Sequence, residues 1–117
     1  MFDKYGYLVY YHGQKTYNGV AIASKHRLVN IESGIRDFQD DQARVLSGTT
    51  QDGVRIVDVY VPNGSTTESD KFQYKLRWIN ALIYLVFFIA ISIITRFSSL
   101  YIYNRTAKLF IYIWFVF

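Results

Sequence analysis

The chain has 117 residues, a length suited to one small domain. Its formal net charge of +4 is unevenly spread: residues 1–82 hold all nine acids and ten of the 13 Lys/Arg, while residues 83–117 hold Arg96, Arg105, Lys108 and no acid. The basic balance is therefore weak evidence that the first part binds nucleic acid, and the lack of cysteine excludes disulfide frameworks and thiolate metal sites.

The start, Met1-Phe2-Asp3-Lys4, has no basic region followed by an apolar core, so residues 1–82 are expected to be cytoplasmic. Tyr7-Leu8-Val9-Tyr10-Tyr11 is rich in β-formers and ends at His12-Gly13, which predicts a strand running into a loop. A polar segment, 14–18, follows. Gly19-Val20-Ala21-Ile22-Ala23-Ser24 is too short for a helix and reads as a buried strand. Residues 30–42 read as polar and irregular. The runs 43–49 and 54–61 are of β type, and Gln51-Asp52-Gly53 between them signals a hairpin, because Asp and Gly accept positive φ. Pro62-Asn63-Gly64 stops the second strand, since proline cannot continue a ladder.

Phe72, Leu76, Ile79 and Ile83 then recur at helical spacing. Ser65 with Glu68, or Ser69 as an N-cap, starts that helix. Strands early and a covering helix late predict an α/β or α+β architecture.

By Gly13-Gln14-Lys15-Thr16-Tyr17-Asn18-Gly19-Val20-Ala21-Ile22 the sequence resembles the exodeoxyribonuclease III branch of the endonuclease/exonuclease/phosphatase superfamily. Three further stretches agree in order and spacing: Asp41-Gln42-Ala43-Arg44-Val45, Val59-Tyr60-Val61-Pro62-Asn63-Gly64, and Lys71-Phe72-Gln73-Tyr74-Lys75-Leu76-Arg77-Trp78. The resemblance implies that residues 2–82 are a slice of a four-layer α/β sandwich, in which two β-sheets pack face to face and helices cover the outside. It implies double-stranded DNA with abasic sites or 3′ ends as the partner and Mg²⁺ or Mn²⁺ as the family's cofactor. The family's metal-binding Glu lies upstream of this slice, and its Gly-Asp-Phe-Asn motif and closing Asp-His pair lie downstream. None of these motifs occurs here, so this chain alone is expected to hold metal weakly and to be catalytically deficient.

By the same resemblance, Tyr60 matches the family's active-site tyrosine, a neutral donor on a rigid arm at a strand end. The competing reading is a packed aromatic. Asn63 on the following loop would bond a phosphate oxygen or the sugar, or is simply a turn asparagine. Tyr17 and Asn18 match a loop that lies against the DNA strand, where an aromatic stacks beside unpaired bases and an amide reaches the backbone; Lys15 would add a phosphate contact. Arg44 lies on a strand that is internal in the family, so an ion pair inside the structure is expected rather than DNA contact. His12 and His26 match no catalytic histidine and read as solvated or packing residues in loops. Asp40-Asp41 lies in a polar loop with no converging third ligand.

The match ends near Ile83. Residues 78–95 carry no charge and one amide, Asn80, which is close to the ~20 apolar residues needed to cross a bilayer. Aromatics run throughout the tail rather than in two interfacial belts. Phe, Ile, Tyr, Asn and Lys, which have AT-rich codons, dominate residues 83–117, as a frameshift in an AT-rich gene would produce. The expected organisation is thus a partial nuclease domain over 1–82 and a non-homologous hydrophobic helical tail over 83–117. The alternative function is a non-catalytic DNA-binding or membrane-tethered interaction module, with residues 78–95 as the anchor. A slice of a sandwich would also expose strand edges and apolar faces, and so be weakly stable.

Overall fold

A computed structural model describes residues 2–99 and 109–114, with side chains described through residue 94. A short 3-10 turn, Phe2–Tyr5, precedes a two-stranded sheet of β1 (Leu8–Gly13) and β2 (Gly19–Ser24). These strands pair antiparallel from Leu8↔Ser24 to Gly13↔Gly19. A second sheet has the order β3 (Val29–Ser33), β4 (Val45–Thr49), β5 (Arg55–Tyr60) and β6 (Leu109–Trp114). β3, β4 and β5 are antiparallel neighbours, and β6 runs parallel to β5. One long helix, α1 (Asp70–Ser99), separates β5 from β6 in sequence.

Side chains alternate across a strand, so the second sheet has two distinct faces. Val45, Val57 and Val59 point to one face and pack with Ile35, Val61 and Trp78 of α1, joined by Ile79, Leu82, Leu85 and Ile89. Leu46 points to the other face and packs with Val20, Ile22 and Leu28, flanked by Tyr10, Ile56 and Tyr60. The described residues therefore form three layers: small sheet, large sheet, helix. The face-to-face sheets of the expected sandwich are present. The outer helical layer on the small sheet is not seen among these residues, so the four-layer description narrows to an α+β arrangement.

The hairpin between β4 and β5 turns at Gly53, whose φ of 89° is open to glycine at no steric cost. Ser69 is the N-cap: its Oγ accepts from Phe72 N at 3.2 Å and donates its one proton to the Thr66 carbonyl at 2.6 Å, with the Gly64 carbonyl 3.0 Å away. Gly64 sits against the helix so closely that a Cβ there would lie 3.0 Å from Lys75 Cδ and 3.1 Å from Phe72 Cδ2. Trp78 is fully buried, and its Nε1 has no partner among the described residues.

Three features depart from the sequence expectations. Val29–Ser33 is a strand although residues 30–42 read as irregular; its pairing with β4 supplies the backbone hydrogen bonds. His12 lies in β1, not in a loop, with its Nδ1 3.1 Å from the Val45 carbonyl oxygen. The tail is not wholly helical. Leu109–Trp114 is a run of β-branched and aromatic residues beside leucine, and its backbone adds a strand to the large sheet.

Candidate nucleic-acid interface

A groove of about 480 Å³ opens where the β1–β2 loop meets the C-terminal end of β5. Tyr17 and Asn18 line one side, Tyr60 and Asn63 another, so the four residues singled out in the sequence come together although they are spread over 46 positions between Tyr17 and Asn63. Local conformation explains how. Asn18 adopts φ 65°, a left-handed value that asparagine tolerates better than most residues, and it lets the chain turn into β2. Pro62 ends β5 and throws Asn63 out of the sheet, where it is exposed.

A chain of polar contacts ties these parts together. Asn18 Nδ2 donates to Gln42 Oε1 at 3.2 Å, and Arg44 Nε donates to the same oxygen at 2.8 Å. Arg44 Nη1 donates to the Tyr60 carbonyl at 3.2 Å, and its guanidinium carbon lies 4.7 Å from the Tyr60 ring centre. Ala43 N donates to Gln14 Oε1 at 2.9 Å, which holds the start of the β1–β2 loop against β4. Tyr17 is left projecting into solvent, 76% exposed.

Sequence reasoning missed half of this lining. Gln42, Arg44, Ser65, Lys71 and Tyr74 also face the groove. Lys71 and Tyr74 reach the groove because α1 begins beside the end of β5, a placement that no local motif marks. Arg44 corrects the expected ion pair. It is buried, and the one ion pair among the described residues is Arg55–Glu32 at 2.9 Å. Hydrogen bonds and an aromatic face take the place of a carboxylate. Lys15 does not line the groove.

Two acids near the site are already engaged. Asp40 Oδ1 accepts from Gln42 N at 3.0 Å and Oδ2 accepts from Tyr74 OH at 2.8 Å. Burial and this bond to Asp40 push the Tyr74 phenol well above its ordinary range. Asp58, buried between the sheets, accepts from Ala21 N at 3.1 Å; burial raises its carboxyl above 3.8, more than that hydrogen bond lowers it. It borders a second recess of about 440 Å³ with Asn18, Val20 and Tyr60. Among the described residues no three His, Asp or Glu side chains are grouped to hold an ion. His26 is in a turn closed by Ser24, whose Oγ donates to the His26 carbonyl at 2.7 Å.

Comparison with known proteins agrees with the fold. A Neisseria 3′ phosphatase bound to a product DNA hairpin matches at 40% identity with a TM-score of 0.69, over 73% of this chain and 33% of its own. The 3′-5′ exonuclease of Neisseria meningitidis gives the same identity, TM-score and shares. An AP endonuclease from Archaeoglobus fulgidus matches at 34% identity with a TM-score of 0.68, over 73% of this chain and 33% of its own. No family model matches the chain, and no curated protein does.

Proposed function

Because this chain belongs to the exonuclease and AP endonuclease family, and spans about a third of the length of the structures it matches, we propose that it is a DNA-binding piece of an exodeoxyribonuclease III-type repair nuclease, deficient in catalysis alone. The observation that carries this reading is the single groove lined by Tyr17, Asn18, Tyr60 and Asn63. An exposed aromatic, two amides and a phenol are the neutral groups that stack on bases and bond phosphate oxygens. Lys71 on the same wall supplies a cation for the backbone. The partner is double-stranded DNA carrying an abasic site or a free 3′ end.

The family's metal does not fit the residues described here. Asp40 and Asp58 already accept hydrogen bonds, and no cluster of potential ligands surrounds the groove. No hydrolytic step is therefore assigned to this chain. In the complete enzyme Tyr60 would orient the scissile phosphate, while residues outside this slice would hold Mg²⁺ or Mn²⁺.

The test is binding and incision of a duplex with one abasic site. The full chain should bind it, and Tyr17→Ala should weaken binding about tenfold, the loss of one stacked base contact. Incision in Mg²⁺ that disappears in Tyr60→Phe would overturn the catalytic deficiency. Absence of any DNA binding at low salt would overturn the reading as a whole.

A further inference from the structure

We propose that the outer face of α1 is a lipid-binding surface that lies in the interface of an anionic bilayer while the helix stays docked on the large sheet. At about 100° per residue, Ile83, Tyr84, Phe87, Phe88, Ile91 and Ile94 share one side of the helix. All six are at least 42% exposed. Trp78, Ile79, Leu82, Leu85 and Ile89 occupy the opposite side and pack into the core. A helix on the surface of a soluble domain shows water a polar face; this one shows an aromatic and aliphatic stripe.

Charge selects the occupant. Asp70 is the last acid of the chain, so no acid follows along the rest of the helix. Arg77 is exposed and, by its spacing, on the side of the stripe. From the sheet side, the Arg36 guanidinium lies 5.2 Å from the centre of the Phe88 ring, at the stripe's edge. Cations beside an aromatic, apolar stripe match an anionic headgroup layer over acyl chains. A second copy of the chain fits worse, because the helix offers no acid after Asp70 to pair with Arg77 across a symmetric contact.

Asp70–Ile94 is long and apolar enough to cross a membrane by length and composition. Docking opposes that orientation. Leu85, Phe88 and Ile89 share a recess with Arg36, Glu32 and Arg55, so crossing would strip the helix from the sheet and leave the fully buried Trp78 and its valine partners uncovered. Lying in the interface costs none of these contacts.

The experiment is flotation of the full chain with vesicles of phosphatidylcholine alone or mixed with phosphatidylglycerol. Binding should be at least tenfold stronger to the mixed vesicles, fall with salt, and be released by alkaline carbonate. Arg77→Gln should weaken binding to the mixed vesicles about fivefold, the share of one basic residue at such a surface, and leave the weak binding to phosphatidylcholine unchanged. Tyr84→Ser combined with Phe87→Ser should abolish both, with the far-ultraviolet circular dichroism retained. Equal binding to both vesicles, carbonate-resistant insertion, or a concentration-dependent dimer that masks the stripe would each overturn the proposal. So would vesicle binding that ignores the outer-face substitutions.

Discussion

Arg44 grips Tyr60 twice: its guanidinium carbon lies 4.7 Å from the ring centre, and its Nη1 donates to the Tyr60 carbonyl at 3.2 Å. The backbone completes the link, since Tyr60 N donates to the Arg44 carbonyl at 2.8 Å. Tyr60 therefore leaves the end of β5 with its ring direction fixed.

This grip predicts a penalty for a charge-conserving change. A lysine at position 44 keeps the positive charge but loses the planar fork that reaches Gln42, the Tyr60 carbonyl and the ring together. Arg44→Lys should lower stability by about 2 kcal/mol, the scale of a charge-assisted hydrogen bond plus a partly desolvated cation–π contact. A urea midpoint unchanged from that of the native chain would show that the stacking contributes nothing.

β1, β2, β4, β5 and the helix start were legible because their signals are local. Gln51-Asp52-Gly53 named its hairpin, and Ser69 named its cap. Tyr17, Asn18, Tyr60 and Asn63 were legible only through the resemblance; nothing in their spacing places them on one groove. Arg44 was misread because burial of a guanidinium suggests a carboxylate, whereas here an amide oxygen, a carbonyl and a ring satisfy it. β3 was missed although Val29-Asn30-Ile31-Glu32 alternates apolar and polar residues, because only two apolar residues mark so short a run and all five of its residues stay exposed.

Asp58 predicts a pH dependence. Its burial, outweighing the bond from Ala21 N, raises the folded carboxyl above its ordinary 3.8. The folded state thus holds the proton more tightly than the unfolded chain does. The associated stability is present in full below the unfolded value and is lost as pH rises through the folded one. Asp58→Asn keeps an oxygen for Ala21 N and cannot ionise. Its melting temperature should exceed that of the native chain at pH 7, with the gap closing toward pH 3.8. A gap of the same size at both ends would place the effect outside the carboxyl's ionisation.

Gly48, buried in β4, predicts a packing cost. A Cβ there would lie 2.8 Å from Ile31 Cδ1 and 3.2 Å from Leu28 Cδ1. Ile31 is partly exposed and its terminal methyl can swing away, so Gly48→Ala should cost about 1 kcal/mol, the low end for overpacking. Adding Ile31→Val removes that methyl and should recover most of the loss in a chemical denaturation series. Failure of the rescue would assign the strain to Leu28.

The last prediction concerns metal. Mg²⁺ keeps much of its water shell and binds weakly unless carboxylates are preorganised around it. Of the acids nearest the groove, Asp40 already accepts from Gln42 N and from Tyr74 OH, so presenting it to an ion would release the tyrosine that joins α1 to the loop before β4. Asp41 is exposed beside it, and no third ligand completes a set among the described residues. An ion that binds only the folded chain raises stability by RT ln(1 + [L]/Kd), which vanishes when Kd is far above the concentration used. Millimolar Mg²⁺ should therefore leave the melting temperature unchanged within error. A clear rise, abolished by Asp40→Asn with Asp41→Asn, would establish a metal site at this loop. The Asp40–Tyr74 bond would then be a contact of the metal-free chain that the ion displaces, and the chain would have to be reconsidered as an enzyme.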